Sequence, residues 1–463
     1  MNIAGNKAGI SIGLGLALVV FGVVLSRTTL ETTGFCGPPI TSRLFLTLIF
    51  GTRVSCVGLG LYLLVIRPRL RGSRVGLMLC SGAFTIALIT VMLQLFYKPV
   101  PLRAGWRSSA PAAEKNQLGF RGQKIEYSDE DFVVVLLGDS QVEARASAYG
   151  WMPERRLEFY FNSAGLKARV FTLGTGGYGT DQELLALKEY YQKYRADLVV
   201  LWETPNNDVW NNVFPTYYPV NGTPKPTFWL EDGELAGPSE QLGEDLNPQI
   251  KVVALLRRYC PADRDGVWEK RLPKAFVPKE RYDGPVNWNW QRMHDAGMMR
   301  NHQLSTEKSP LAMMLTPRSE RTQYGLDLTR SLLKEMERLV VSRGGKFVIL
   351  YTRAPESKYW HSTGDESSAE QVHVLNGKYY TTSRQQYEAN VDYINRDFDV
   401  HVIPVTVEEW EVGPADSHLN EHANDQVMRD LARRLIPVAR ALTKREKVQN
   451  PTSGLSLRGE RAR

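Results

Sequence analysis

Apolar positions follow two regimes along the chain. In the first hundred residues they form long runs at 9–25, 44–66 and 75–96. Each approaches the roughly 20 residues that a helix needs to cross a bilayer. The first run alone would also suit the apolar part of a signal peptide. Two more follow closely, so the pattern predicts three transmembrane helices at these positions, within a membrane region of 1–98. Arg53 interrupts the second run. In a span of about 48–66 it lies roughly one turn from the end, within reach of the headgroups by snorkelling.

After residue 98 the rhythm changes. A Pro/Ala/Ser stretch, 99–115, reads as a linker, and short apolar runs then alternate with amphipathic ones to about residue 445. The run 132–137 is unbroken and ends in Gly138, as expected for a strand buried on both faces. Runs at 170–173, 198–202, 347–351 and 400–403 complete a set of five. Between them lie helical patterns. Thr180 and Glu183 have capping-box spacing ahead of Leu184, Leu187, Tyr191 and Tyr194. Leu328, Leu332, Met336 and Leu339 mark a second helix stopped by Gly344–Gly345, and a last helix is expected over about 425–442. This order predicts an α/β domain of three layers, a five-stranded parallel sheet between helices, with ligands at the carboxyl ends of the strands. The stretch 209–325 breaks the alternation. It is Pro-rich, carries Trp210, Trp229, Trp268, Trp288 and Trp290, and reads as an insertion, either a lid over one end of the sheet or a structural elaboration. The tail, 446–463, is expected to be disordered.

Charge refines this division. Of 57 Lys/Arg and 50 Asp/Glu, residues 1–110 hold 11 and one, leaving 46 and 49 for the rest. The basic excess therefore lies beside the apolar runs, and the larger part has no basic stripe for nucleic acid. Arg67, Arg69, Arg71 and Arg74 crowd the link between the second and third runs, whereas the first loop has Arg27 and Arg43 with Glu31. The four-arginine loop should be cytoplasmic, which puts the domain after residue 96 outside, periplasmic or extracellular. Lys98, Arg103 and Arg107 oppose this. The four cysteines suit neither a disulfide framework nor a zinc site; a Cys36–Cys260 bond would need an oxidising compartment, and free thiols are the simpler reading.

Candidate chemistry lies at the ends of the expected strands. Gly138-Asp139-Ser140 follows the first, placing a serine where a helix opens and favours developing negative charge. Alone it is equally a turn or a cap. Gly174-Thr175-Gly176-Gly177-Tyr178-Gly179 follows the second; glycines let backbone N–H groups approach a ligand, or simply make a tight turn. Asn206-Asn207-Asp208 follows the third and offers a side-chain amide, or an Asx turn. Asp416-Ser417-His418 follows the fifth, an acid and an imidazole two residues apart. His422 lies nearby.

The order Ser, Gly, Asn, Asp/His, with each piece at a strand's carboxyl end, resembles the SGNH/GDSL hydrolase family. Its blocks are matched by GDS at 138–140, glycine at 177, ND at 207–208 and DxH at 416–418; LGTGGYGTDQELL from Leu173 and NQLGFRG from Asn116 look like bacterial membrane-attached members. The resemblance covers 116–208 and 326–442. Two departures stand out: Gln141 follows the serine where Phe or Tyr is frequent, and Asn424 replaces the second histidine of HxNxxGH, with His422 out of register. The first is expected to tune the pocket and the second to affect helix packing. The resemblance implies an SGNH, flavodoxin-like fold and a serine esterase acting through an acyl-enzyme, with Ser140 as nucleophile, His418 as base and Asp416 orienting it. The oxyanion hole would be formed by the N–H groups of Ser140 and Gly177 and the Asn207 side chain, with no metal or cofactor. An external, membrane-tethered site suits an O-acyl ester of a glycan or lipid. Two other classes fit the same motifs: an O-acyltransferase modifying a surface polysaccharide, which would need an acyl-donor membrane partner, and a non-catalytic glycan-binding module of an export assembly.

Overall fold

The five short apolar runs become five strands of one sheet. The computed structural model describes residues 5–26, 43–66, 105–238, 264–288, 304–353, 370–413 and 416–449, with isolated positions at 29, 81, 91, 92 and 290. The chain divides into two units, one of 1–102 with 218–224 and 239–271, the other of 103–217, 225–238 and 272–463.

In the first unit, α1 (Gly5–Val24) packs against α2 (Arg43–Ile66). Gly15 and Gly60 meet at the crossing: a Cβ on Gly15 would stand 2.8 Å from the Gly60 carbonyl oxygen, and one on Gly60 2.7 Å from that of Gly15. Small residues at this point let the backbones approach, the usual device of helices packed in lipid. Arg53, one turn into the expected second span, is engaged by α1. Its Nε donates to Gly22 O at 3.2 Å, in the last turn of α1, where helical carbonyls lack intrahelical partners. Ile49–Ile66 within α2 has a mean hydropathy of 1.9 and is, among the described residues, the one helical stretch long and apolar enough to cross a membrane; Ile12–Val24 in α1 is shorter. One described helix thus meets a requirement that three were expected to meet. The third expected span, 75–96, lies outside the described residues apart from three positions. Cys56 is a free thiol; the other cysteines also lie outside the described residues.

In the second unit, β1 (Phe132–Gly138), β2 (Ala168–Gly174), β3 (Leu198–Glu203), β4 (Lys346–Arg353) and β5 (Val400–Pro404) form a parallel sheet of order β2-β1-β3-β4-β5. Its helices are α3 (Ser140–Glu143), α4 (Pro153–Ser163), α5 (Thr180–Tyr190), α6 (Pro205–Val213), α7 (Glu320–Ser342), α8 (Arg384–Asn395) and α9 (Glu421–Gln449). Successive strand residues point to opposite faces. Val133, Val135 and Leu137 of β1 pack with Leu184, Leu332 and Ile394 on one side. Val134 and Leu136 pack with Leu157, Phe161, Val427 and Leu431 on the other. Each such fully buried Val or Leu contributes about 1.5–3 kcal/mol, which is why β1 is apolar at every position rather than alternating.

Several local expectations change. The capping box at Thr180 does not form. Gly179 is the N-cap, the Thr180 hydroxyl and the Glu183 carboxyl find no hydrogen-bond partner among the described residues, and Asn212 Oδ1 of α6 accepts from Asp181 N at 3.1 Å instead. A residue without a side chain cannot cap itself, so the neighbouring helix supplies the acceptor. The helix α7 begins at Glu320, inside the expected insertion, with Ser319 accepting from Thr322 N at 2.9 Å. Within the insertion, described residues in 272–288 and 304–317 pack on an unexpected hairpin, Gln371–Leu375 with Lys378–Thr382, around Leu304, Leu311, Leu315, Leu375 and Tyr380. Of the expected disordered tail, 446–449 instead continue the last helix, and the residues beyond 449 lie outside the described ones.

Glu203 ends β3 and is fully buried. Burial pushes its carboxyl up to about 7, against one hydrogen bond donated by Asn395 Nδ2 at 2.6 Å. A carboxyl that holds its proton more tightly when folded favours folding fully below its unfolded value, near 4.5, and loses that contribution as pH rises through about 7. This group should cost the protein up to about 3 kcal/mol of stability across that window. Glu203→Gln, isosteric and uncharged, should flatten this component. Denaturant melts of both proteins at several pH values between 4 and 8 check it, and parallel profiles would refute it.

Candidate active site

The strand ends set the level of the site. Gly138 is paired with Gly174 of β2 on one side and Trp202 of β3 on the other, so the segments after β1 and β2 leave the sheet together and that after β3 one residue later. The chain steps to opposite sides of β1, which opens a crevice beyond its carboxyl end. Gly138 is required there: a Cβ would stand 2.6 Å from Val142 Cγ2 and 3.0 Å from Trp202 O. Asp139 then caps α3, its Oδ1 accepting from Gln141 N at 2.9 Å, and Ser140 is the first helical residue. The helix is a single turn, ended by Ala144 in the left-handed region at φ 44°. The expected helix dipole is therefore small, and negative charge near Ser140 must be met by individual N–H groups.

Asp416 and His418 lie on a two-stranded antiparallel ribbon, Glu411–Gly413 with Asp416–Leu419. In an extended segment, residues two apart share a side, so both turn to Ser140 while Leu419 packs into the core beneath. His418 Nε2 is 2.8 Å from Ser140 Oγ. Its Nδ1 is hydrogen-bonded to Asp416 Oδ1, which also accepts from His418 N at 3.1 Å. A carboxylate at Nδ1 fixes the proton there and leaves Nε2 as the acceptor facing the hydroxyl. Burial acts to raise the Asp416 carboxyl, but the bonds from the His418 ring and N–H and the nearby imidazole outweigh it and hold it below the usual range. Gln141 and Asn424, the two departures, both brace this ribbon. Gln141 Oε1 accepts from Leu419 N at 3.3 Å, and Asn424 Nδ2 donates to Leu419 O at 3.1 Å. His422 is exposed on α9, edge-on to Trp151 at 6.4 Å between centroids, away from the cavity.

The glycine loop after β2 closes another side. Gly177 has φ 80°, and a Cβ there would stand 2.7 Å from the Tyr217 ring, so both backbone and space demand glycine. Its carbonyl accepts from Asn211 Nδ2 at 3.0 Å. Asn207 sits differently from the expectation. Its amide donates to Asp139 Oδ2 at 3.2 Å and to Tyr178 O at 3.1 Å, so both hydrogens are engaged and the side chain is not among those lining the cavity. In this geometry it braces the serine turn against the glycine loop. Asp208 Oδ2 accepts from Thr204 N at 2.9 Å, closing the start of α6 as a local cap.

Ser140, His418, Asp416 and Gly177 open onto a cavity of about 750 Å³, together with Trp106 and Tyr217. Neither aromatic was singled out from the sequence. Tyr217 belongs to the insertion, is tilted against Trp106 at 5.5 Å and stacks on Trp210 at 6.0 Å. The insertion is thus part of the site's wall as well as an elaboration elsewhere. Trp106 lies in the stretch expected to be a linker, yet residues 105–122 are fastened across the site. Trp106 Nε1 donates to Gly176 O at 2.8 Å, Asn116 Nδ2 to Thr172 O at 2.9 Å, and Arg121 to the carbonyls of Glu143, Ala144 and Ser147. No periodicity betrays such a segment, because its bonds run to loops. Beneath the site, Asp139, Glu183 and Asp208 are all fully buried. Burial raises each carboxyl, and for Glu183 and Asp208 the neighbouring acids add to it. Among the described residues no three His, Cys, Asp or Glu side chains converge to hold a metal ion.

No family model and no curated protein matches the chain. Among solved structures, it is similar to a putative arylesterase from Agrobacterium tumefaciens str. C58, at 11% identity and a TM-score of 0.30 over 66% of this chain and 99% of that one. It is also similar to an acetyl xylan esterase, Est2A, from the rumen bacterium Butyrivibrio proteoclasticus, at 9% identity and a TM-score of 0.29 over 68% of this chain and 66% of that one. Likenesses this low carry no weight in assigning an activity, which rests on the geometry. A hydroxyl bonded to an imidazole that is bonded to a carboxylate can deliver an alkoxide-like nucleophile at neutral pH. If His418 is the base, His418→Ala should abolish esterase turnover and His422→Ala should leave most of it. Assays of both variants with a short p-nitrophenyl ester check this, and the reverse result would move the base elsewhere.

Proposed function

We propose that this protein is a membrane-anchored serine ester hydrolase of the SGNH/GDSL type that cleaves O-acyl esters of a glycan or lipid outside the cytoplasm. The observation that carries this is the Ser140–His418–Asp416 hydrogen-bond chain opening onto the cavity. Ser140 Oγ attacks the ester carbonyl carbon while His418 Nε2 takes its proton. The oxyanion is bound by the N–H groups of Ser140 and Gly177, and by the Asn207 amide once it exchanges Tyr178 O for the substrate. Collapse breaks the bond to the alcohol oxygen, which receives the proton from His418. Water then attacks the acyl-enzyme by the same route, releasing the carboxylic acid and restoring Ser140. Asp416 holds the imidazole and stabilises its charged form. The Trp106 and Tyr217 rings offer apolar faces suited to a sugar ring or an acyl chain.

An O-acyltransferase is the second reading, favoured by a cavity of about 750 Å³ that leaves room for an acceptor alcohol beside the ester; it would need an acyl-donor membrane partner. A non-catalytic glycan-binding module leaves the hydrogen-bond chain without a purpose. The purified protein should label covalently with a fluorophosphonate, and Ser140→Ala should not; labelling that survives the substitution removes Ser140 as nucleophile. With p-nitrophenyl acetate and a sugar acceptor, a hydrolase releases acetate and leaves the sugar unmodified, whereas acylated sugar assigns the transferase.

Location is proposed from the apolar exposed side chains of α1 and α2, among them Leu16, Val20, Phe21, Phe50, Leu61 and Val65, which suit lipid contact. The arginines at 67, 69, 71 and 74 then orient the chain. A reporter active only outside the cytoplasm should work when fused after residue 442 and fail when fused at Gly72. A cytoplasmic result for the first fusion would give the enzyme intracellular esters as substrates.

A further inference from the structure

Glu143 is the third residue after Ser140, is 2% exposed, and has no part in the acyl transfer written above. An acid in that position of a short helix would ordinarily face water. Here its Oε1 accepts from Ser108 Oγ at 2.6 Å. Its Oε2 accepts from Gly176 N at 2.6 Å and from Thr175 Oγ1 at 3.2 Å. One carboxylate on the serine-bearing turn thus grips both the crossing segment 105–122 and the glycine loop. Gly176 is held a second time, through its carbonyl, by Trp106 Nε1 at 2.8 Å.

The planarity of the peptide bond gives this grip a consequence. Gly176 C=O and Gly177 N–H belong to one rigid plane and point in opposite directions. Trp106, by holding the oxygen, therefore sets where the Gly177 N–H points. Glu143, by holding the N–H of Gly176, fixes the preceding plane and so the hinge about which the next one turns. Glycines at 176 and 177 lack the side chains that would limit this rotation, so the two external bonds do what local sterics cannot. Oxyanion stabilisation is sensitive to such placement, since it depends on donors held ready before charge develops.

We propose that Glu143 and Trp106 are positioning residues that clamp the Gly176–Gly177 peptide, Glu143 through Gly176 N and Trp106 through Gly176 O, so that the Gly177 N–H is aimed at the oxyanion. The proposal rests on the serine hydrolase reading. The residues touch different atoms of one loop, so their effects are coupled.

The test uses the full chain in detergent. Glu143→Gln keeps the shape and removes the charged acceptor. Trp106→Phe keeps an aromatic ring in the cavity wall and removes only the donor. Each should lower kcat for p-nitrophenyl acetate by roughly 10- to 100-fold, the range for a sub-ångström to ångström misplacement, with KM within about twofold and the melting temperature near that of the wild type. The rate of fluorophosphonate labelling should fall in parallel, because the phosphonyl oxygen uses the same donors. The double variant should lose less than the product of the single losses. Wild-type kcat in both single variants, losses that multiply in full, or losses that track melting temperature would overturn the clamp. Should Glu143→Gln fail to fold, Trp106→Phe decides alone, and unchanged kcat in it is likewise fatal. A wild type that neither labels nor turns over would instead remove the hydrolase reading, and the clamp with it.

Discussion

Gly138, Gly174 and Trp202 stand side by side across three parallel strands, and the site depends on that register. This pairing makes β1 and β2 end at one level and β3 one residue beyond it, so the serine turn, the glycine loop and the Asn207 segment emerge as neighbours. A slip of one residue would turn every β1 side chain to the opposite face. The register is guarded from both sides, because each face of β1 is sealed by its own core. Stability and site geometry are in this sense one constraint: the apolar residues that bury the sheet also hold the reacting groups in line.

Polar groups just below that level carry the opposing cost. Asp139, Asp181, Glu183, Glu203 and Asp208 are all buried at the ends of strands or the starts of helices, where burial raises each carboxyl above its usual range. Lys225 answers Asp181 in an ion pair without solvent exposure. Among the described residues, Glu183 has no such answer through a hydrogen bond. Apolar residues of similar size would be cheaper at several of these places. Groups that break the rules of a well-packed core tend to gather where a loop geometry must be specified, and the Asp139–Asn207–Tyr178 bracing is an example.

Local expectations held best where one physical cue dominated. The five strands were legible because a strand buried on both faces leaves an unbroken apolar run. DxH was legible because two-residue spacing in an extended segment puts both groups on one side. The capping box failed at Thr180 since its spacing is a local cue, and Gly179 with Asn212 from another helix took over. The same limit hid the hairpin at 371–382, which is held by a partner far away in the chain.

The sequence by itself determined the α/β class, the strand positions, the serine turn and the two-residue spacing of Asp416 and His418, since each follows from periodicity or from bonds between near neighbours. Tertiary structure alone decided that residues 105–122 cross the site, that Tyr217 walls it, that Glu143 turns inward, and that Asn207 is engaged by Asp139 and Tyr178 O. These depend on hydrogen bonds and ring contacts between residues about 30 to 110 positions apart. Such contacts leave no periodic trace, because a loop's polar groups are satisfied by whatever the folded sheet brings beside them.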